Sequence, residues 1–249
     1  IVAIDEELAS NLPGMNQISI IHNSYNKKSI LHKDDMLKLT EYDKMVLVLG
    51  FVGSISVLKG IIELIESVAI CKKRGLRIKL VVVGVPEVKQ THGLRSFLIK
   101  KVKGSSDVMH DIKQIIVREG IEQTIDFIGF TKNIDAIYRK IDILCFPSRL
   151  NAAGRPVFEA AFYKKPSIVA VDRSWTDTIV DGETGLIVRE NDPVSIADAI
   201  EYLYNRRDVL NKLGKNAFKL AQKNFNPEKN ADIVWELYTG IVNGHESKP

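Results

Sequence analysis

The sequence predicts an α/β fold, a doubly wound parallel sheet with a helical C-terminal extension. Three observations predict it. Short runs that are apolar throughout recur through the middle of the 249-residue chain, as in strands buried on both faces. Segments with apolar residues at 3–4 spacing lie between most of them, so strand and helix alternate. From residue 193 to 243 the pattern is helical only.

Residues 1–44 hold a polar, helix-like start, a short strand "QISIIH" (17–22) and the linker-like "NSYNKKSILHKDD". The first long strand is "MVLVLGFVG" (45–53), closed by glycine. A helix over 58–75 follows, apolar at 58, 61, 62, 65, 68 and 69, and Gly75 stops it. "RIKLVVVG" (77–84) is the next strand. The polar, Lys-rich 85–105 reads as a long mobile connection. A helix over 106–119, a strand over 124–129, a helix over 132–140 and a strand over 142–148 come next. The pattern ends with a helix over 155–164 and strands over 166–171 and 184–188. The last helix, 227–242, opens with Pro227 and is apolar at 233, 234, 237, 238 and 241, including or beside Trp235. That face needs a partner and is expected to stand exposed. Ligands of such sheets bind beyond the carboxyl ends of the strands, which marks the loops after 53, 84, 129, 148 and 171.

The chain is 45% hydrophobic and 27% charged, ordinary for a globular protein, and its length fits one large domain. No run approaches the roughly 20 apolar residues of a membrane span, and no secretory signal opens it. It begins Ile1-Val2-Ala3 without Met, so a fragment is expected. Cys71 and Cys145 lie in apolar runs, as buried thiols do, and point to a reducing, cytoplasmic setting. The net charge of +4 suits phosphorylated ligands or the inner face of an anionic membrane. Without an arginine-rich tract or interleaved aromatics, nucleic acid is not an expected partner. The histidines at 22, 32, 92, 110 and 245 lack metal-ligand spacing, and no Asp-x-Asp occurs, so no metal site is expected.

The stretch "NAAGRPVFE" (151–159) carries the chemistry. Gly154 ends a loop and Pro156 suits a first helical turn, where its missing N–H costs nothing. Bare amides and the positive dipole end make that start an anion site. Glu159, one turn on, can accept two hydrogen bonds side by side, as a vicinal diol such as ribose requires. A phosphate and a ribose so placed make a nucleotide.

Longer stretches carry a resemblance. "FVGSISVLKGIIELIESV", "IDFIGFTKNIDAIYRKIDILCFPSRLNAAGRPVFEAAFYKKPSIVA" and "IVDGETGLIV" resemble, in order and separation, the C-terminal donor-binding half of retaining glycosyltransferases of the GT-B fold, glycosyltransferase family 4. The likeness runs from about residue 17 to 242. It implies a Rossmann-like domain at 27–225, a crossover helix and tail at 226–249, and at 1–26 the end of a missing N-terminal domain with its linker. It further implies a donor site for a UDP- or GDP-sugar with no cofactor required. Transfer would retain configuration, and a glycan or lipid-linked acceptor would be held by the missing domain, so that the isolated chain would be inactive.

Residue by residue, Glu159 falls on the second acid of the family's E-x7-E pair and Asn151 on the first, where an amide replaces the carboxylate. An amide makes weaker hydrogen bonds to a sugar than a charged group does, so altered sugar preference or weaker catalysis is expected. Gly154 matches the glycine whose amide approaches the phosphates. Lys59 matches the lysine of the diphosphate clamp, but the clamp's arginine is replaced by Ser54, and a lysine cannot replace that fork. Arg155 and Arg173 are the candidates for the lost cation. Ser54 also fits a helix cap, and Arg173 and Trp175 an exposed loop with a packed indole. Gly53, Pro86, Gly129 and Phe130 occupy donor-facing loops, and Ala153, Arg155, Pro156 and Val157 complete the helix start. Lys59, Asn151 and Glu159 are thus the catalytic candidates. The paired glycines of the family align with Arg173-Ser174, a further departure. Two alternatives stand beside this reading: a domain that holds a nucleotide sugar without turnover, and a sugar-nucleotide epimerase or dinucleotide-binding protein. The missing G-x-G-x-x-G argues against the last.

Overall fold

The computed structural model describes residues 2–11, 18–26, 42–43, 45–87 and 108–246. Six parallel strands form its sheet: β3 (Leu47–Val52), β4 (Ile78–Val83), β5 (Ile125–Gly129), β6 (Ile143–Phe146), β7 (Ser167–Ala170) and β8 (Gly185–Val188), in the order β5-β4-β3-β6-β7-β8. Counted from β3, that is 3-2-1-4-5-6, so the order reverses between β3 and β6 and a crevice opens there. The doubly wound sheet expected from the apolar runs is present, each strand within two residues of its expected bounds.

Alternation along the strands divides the core into two layers. Leu47, Leu49 and Phe51, with Leu80, Val82, Ile143 and Cys145, pack under α2 (Ile61–Lys73), α3 (Val108–Glu119) and α6 (Pro193–Asn205). Val48, Val81, Leu144, Phe146 and Val169 face the other way, toward α4 (Ile134–Lys140), α5 (Gly154–Ala161) and the far half of α7 (Arg207–Asn224). Each such fully buried side chain contributes about 1.5–3 kcal/mol. Both cysteines are free and buried among these residues. Burial pushes the Cys71 thiol up to about 12.

Helix boundaries differ from the sequence pattern at several points. The helix expected from residue 58 is a 3-10 turn, Val57–Lys59, then α2 from Ile61, because Gly60 between them has φ +69°. A Cβ on Gly60 would stand 1.8 Å from the Pro147 carbonyl oxygen, so the β6 loop and this turn touch backbone to backbone. The helix expected to reach residue 164 ends at Ala161 and runs into a turn with Lys164 at φ +59°. Beyond residue 193 the helical stretch is three helices, α6, α7 and α8 (Pro227–Glu246). The connection expected over 85–105 and the linker expected over 23–35 lie mostly outside the described residues.

The first residues form a small unit of their own. Strands β1 (Val2–Ala3) and β2 (Ser19–Ile20) pair in parallel, and Asp5 caps α1 (Glu6–Ser10) by accepting from Leu8 N at 2.7 Å. Asp177 fastens this unit to the sheet domain. Its carboxylate accepts from Glu6 N at 2.7 Å and pairs with His22 Nε2 at 3.0 Å. The Glu6 carboxylate accepts from Thr176 N and Oγ1. Burial alone would raise the Asp177 pKa, but hydrogen bonds from His22, Glu6 N and Thr178 outweigh it and hold it low. Asn230 of α8 donates to His22 O at 2.9 Å. The outer face of α8 stands in solvent as expected, with Trp235 70% exposed and Tyr238 and Ile241 beside it. No described helix is long and apolar enough to cross a membrane.

Candidate functional site

The loops after β3 and β6 meet at the point where the strand order reverses. Arg149 N donates to Leu58 O at 2.9 Å and Ser148 Oγ to the same oxygen at 3.2 Å, fastening the β6 loop to the 3-10 turn that carries Lys59. The last residue of β6, Phe146, then does the assembling. The Lys59 ammonium lies 5.3 Å above the centroid of its ring, a cation–π contact. Gly154 lies against the same ring: a Cβ added there would be 2.7 Å from Phe146 Cε1. Since Gly154 also has φ +61°, glycine is required on both counts. One phenyl ring thus holds a cation and the start of α5 together.

The start of α5 is open. Its N-cap, Ala153, has no side chain to accept from the first amides, and no side-chain cap bond is made, so those N–H groups remain available to an anion. A cleft of about 250 Å³ adjoins it, lined by Asp5, Glu7, Gly154, Arg155, Trp175 and Asp177 among others. Burial and the neighbouring carboxylates Asp5, Asp172 and Asp177 raise the Glu7 pKa.

Glu159 is buried, 7% exposed, and its carboxylate is already occupied. Oε2 accepts from the hydroxyl of Tyr138 at 2.7 Å, and Oε1 accepts from Arg155 Nε at 2.5 Å. Tyr138 is fully buried in α4, where a phenol is placed to satisfy a carboxylate from below. Its ring stacks on that of Tyr163 at 5.8 Å. Tyr163 OH lies 3.5 Å from that of Tyr25, and Tyr25 in turn donates to Asp135. Sequence reasoning missed Tyr138, Phe146 and this chain of phenols. The signal was present only as aromatic residues in apolar runs, which core packing explains equally well.

The other candidates scatter along the carboxyl edge. Gly53 N donates to Val83 O, and Ile55 and Pro86 form a parallel bridge that extends the β3–β4 contact. Gly129 accepts from Gly84 N, and Phe130 beyond it is 74% exposed. Pro156 and Val157 lie in the first turns of α5, with Val157 buried against the sheet. Asn151 sits at φ +50°, and its side-chain oxygen accepts from Asp172 N at 2.8 Å, leaving the amide nitrogen to offer a ligand. Ser54 caps no helix, since the cap position of the 3-10 turn is Ser56. Arg173 lies 4.4 Å over the ring of buried Trp175, so it is the exposed loop beside a packed indole. Arg149, which the sequence did not single out, pairs with buried Glu63. Among the described residues no group of three or more His, Cys, Asp or Glu is placed to hold a metal ion.

Comparison with known proteins bears on the family and the fold. Residues 33–220 match the family model "Glycosyl transferases group 1". The capsular polysaccharide biosynthesis glycosyltransferase CapM of Staphylococcus aureus is 28% identical over 254 residues, which cover 98% of this chain and 61% of that protein. The chain therefore spans less than two thirds of that relative. The D-inositol 3-phosphate glycosyltransferase of Corynebacterium efficiens is 26% identical over 194 residues, 77% of this chain and 42% of that protein. Among solved structures, HepE of Anabaena in complex with UDP and glucose superposes with a TM-score of 0.75 at 20% identity, covering 96% of this chain and 62% of that one. The C-terminal domain of the group 1 protein LpcC from Francisella tularensis gives 0.59 at 26% identity, over 73% and 87% of the two chains.

Proposed function

This chain belongs to the glycosyl transferases group 1 family, and from that premise we propose that it binds a nucleoside diphosphate sugar and serves its transfer, with retention, to a glycan or lipid-linked acceptor. The observation that carries the reading is the phenyl ring of Phe146, which brings the Lys59 ammonium and the uncapped start of α5 to one place. A departing diphosphate gains charge as the glycosidic bond breaks. Fixed cations and preformed dipoles stabilise that charge best, because they need no reorganisation at the moment of reaction. Lys59 and the amides at Gly154 fill this role, and Glu159 receives the ribose. Gly53, Pro86, Gly129 and Phe130 line the approach of the base, and Asn151 offers its amide nitrogen to the sugar. The acceptor is bound by a domain beyond this chain, a reading that fits a chain spanning 61% of CapM and an exposed α8 face. UDP-glucose is the first donor to try, since HepE was solved with it.

A second reading, binding without turnover, draws on Asn151, whose oxygen is engaged by Asp172 N and which brings no charge to the sugar. Transfer assays on the chain joined to an upstream domain separate the two.

The test is a thermal-shift panel of UDP, GDP, ADP and their sugars on the wild type, Lys59→Ala and Glu159→Ala. Bound ligand raises stability by RT ln(1 + [L]/Kd), about 2.7 kcal/mol at a hundred times Kd. One nucleotide family should shift the wild type, and both variants should lose most of that shift. Equal shifts in wild type and variants would refute the assignment.

A further inference from the structure

Arg155 is misplaced for a residue whose only task is to hold a helix. It stands in the first turn of α5, where a cation opposes the helix dipole. Its partner Glu159 is four residues toward the C-terminus, the reverse of the order that favours such pairs. The arginine side chain is 65% exposed while the carboxylate side chain is 9% exposed, so one partner is fixed and the other can leave. Tyr138 remains on Oε2 whatever Arg155 does.

We propose that Arg155 exchanges partners when the donor binds. In the empty site it covers Glu159 Oε1 and neutralises a buried carboxylate. A ribose entering the site takes that oxygen with its vicinal hydroxyls, so Glu159 stays hydrogen-bonded throughout. The guanidinium is released beside Gly154, where the diphosphate sits. Lys59 alone leaves the diphosphate's charge only partly compensated, and the freed fork supplies the second cation with the bidentate geometry that phosphate prefers. Among the described residues, the other arginines of these loops are held elsewhere, Arg149 on Glu63 and Arg173 over Trp175. Nucleoside and diphosphate recognition are thereby coupled: the ribose must be in place before the second cation is free. This inference rests on the donor-site reading above and assigns its order of events.

The coupling has a signature that a merely structural ion pair lacks. In Arg155→Gln the competitor for Glu159 is gone, so uridine binds at least as tightly as to the wild type. UDP loses one charge-assisted contact and binds about tenfold to a hundredfold more weakly. Guanosine and GDP replace these probes if the wild type selects them. Arg155→Lys, which keeps the charge without the fork, falls between. Calorimetric titration of the chain with both ligands reads the ratio. Parallel weakening of uridine and UDP, or UDP binding unchanged, overturns the exchange. If Lys59→Ala and Glu159→Ala weaken UDP while Arg155→Gln leaves the ratio alone, only the exchange fails. If no variant alters binding, or no nucleotide binds the wild type, the donor-site reading fails and the exchange with it.

Discussion

Gly60→Ala tests whether the β3 and β6 loops truly meet as described. At φ +69° an alanine costs about 1–2 kcal/mol in backbone strain alone. Its Cβ would also lie 1.8 Å from the Pro147 carbonyl oxygen, a backbone atom that no rotamer change can move. Reaching an ordinary carbon–oxygen separation requires the two loops to part by roughly 1.5 Å along that line. The bonds from Arg149 N and Ser148 Oγ to Leu58 O cannot survive that displacement, and each contributes about 1 kcal/mol net. The total is about 3–4 kcal/mol, a large part of the roughly 5–15 kcal/mol that holds a native fold together. Gly75→Ala is the control. Gly75 has φ +80° with open space around the added Cβ, so it incurs the strain without the collision, about 1–2 kcal/mol. Urea unfolding at constant m-value reads both variants. A Gly60→Ala cost no greater than that of Gly75→Ala would refute the reasoning, because the contact would then contribute nothing.

Tyr138→Phe removes the one hydroxyl beneath Glu159 Oε2 and leaves a buried carboxylate oxygen without its donor, at a cost of about 1–3 kcal/mol. UDP affinity is expected to fall with stability, and an affinity equal to that of the wild type would show that the phenol does not orient the acid. Asp177 gives a pH prediction. Its pKa is lower in the fold than the ordinary 3.8, so its contribution is fully present above that value and is lost as pH falls through the folded value, below 3.8. Amide exchange in β1 and α1 should therefore accelerate in strong acid before exchange in β3 does. Asp177→Asn should show the same loosening at neutral pH, and uniform protection across both regions would contradict the assignment.

Strands β3 and β6 were legible because both faces are buried, which leaves apolar runs with no polar interruption, and β4 because Lys79 alone breaks its run. The start of α5 was legible for a different reason, since Gly154 and Pro156 are local signals of a helix start. The interruption of the second helix at Gly60 was not visible, because its cause is the Pro147 carbonyl, nearly ninety residues away in the chain. The roles of Tyr138 and Phe146 were hidden as well. An aromatic residue in an apolar run looks alike whether it packs a core or positions a carboxylate, and only the fold decides between them. Glu159 was found by its position, but its state was not: the sequence suggested a bare acid, whereas the structure shows one with both oxygens engaged.

The alternation of β6 has a consequence for how the proposed donor site is assembled as the chain folds. Cys145 and Phe146 point into opposite layers, and every side chain would trade places if that strand paired one residue out of step. A thiol would then lie beneath the ammonium of residue 59, and the ring that spaces the cation from the neighbouring helix would be lost to the far layer. A mispaired chain could keep much of its greasy interior and still have no affinity for nucleotide. Ligand added during refolding would therefore reward only the correctly aligned sheet, and recovery of binding would report strand alignment more strictly than recovery of helical signal.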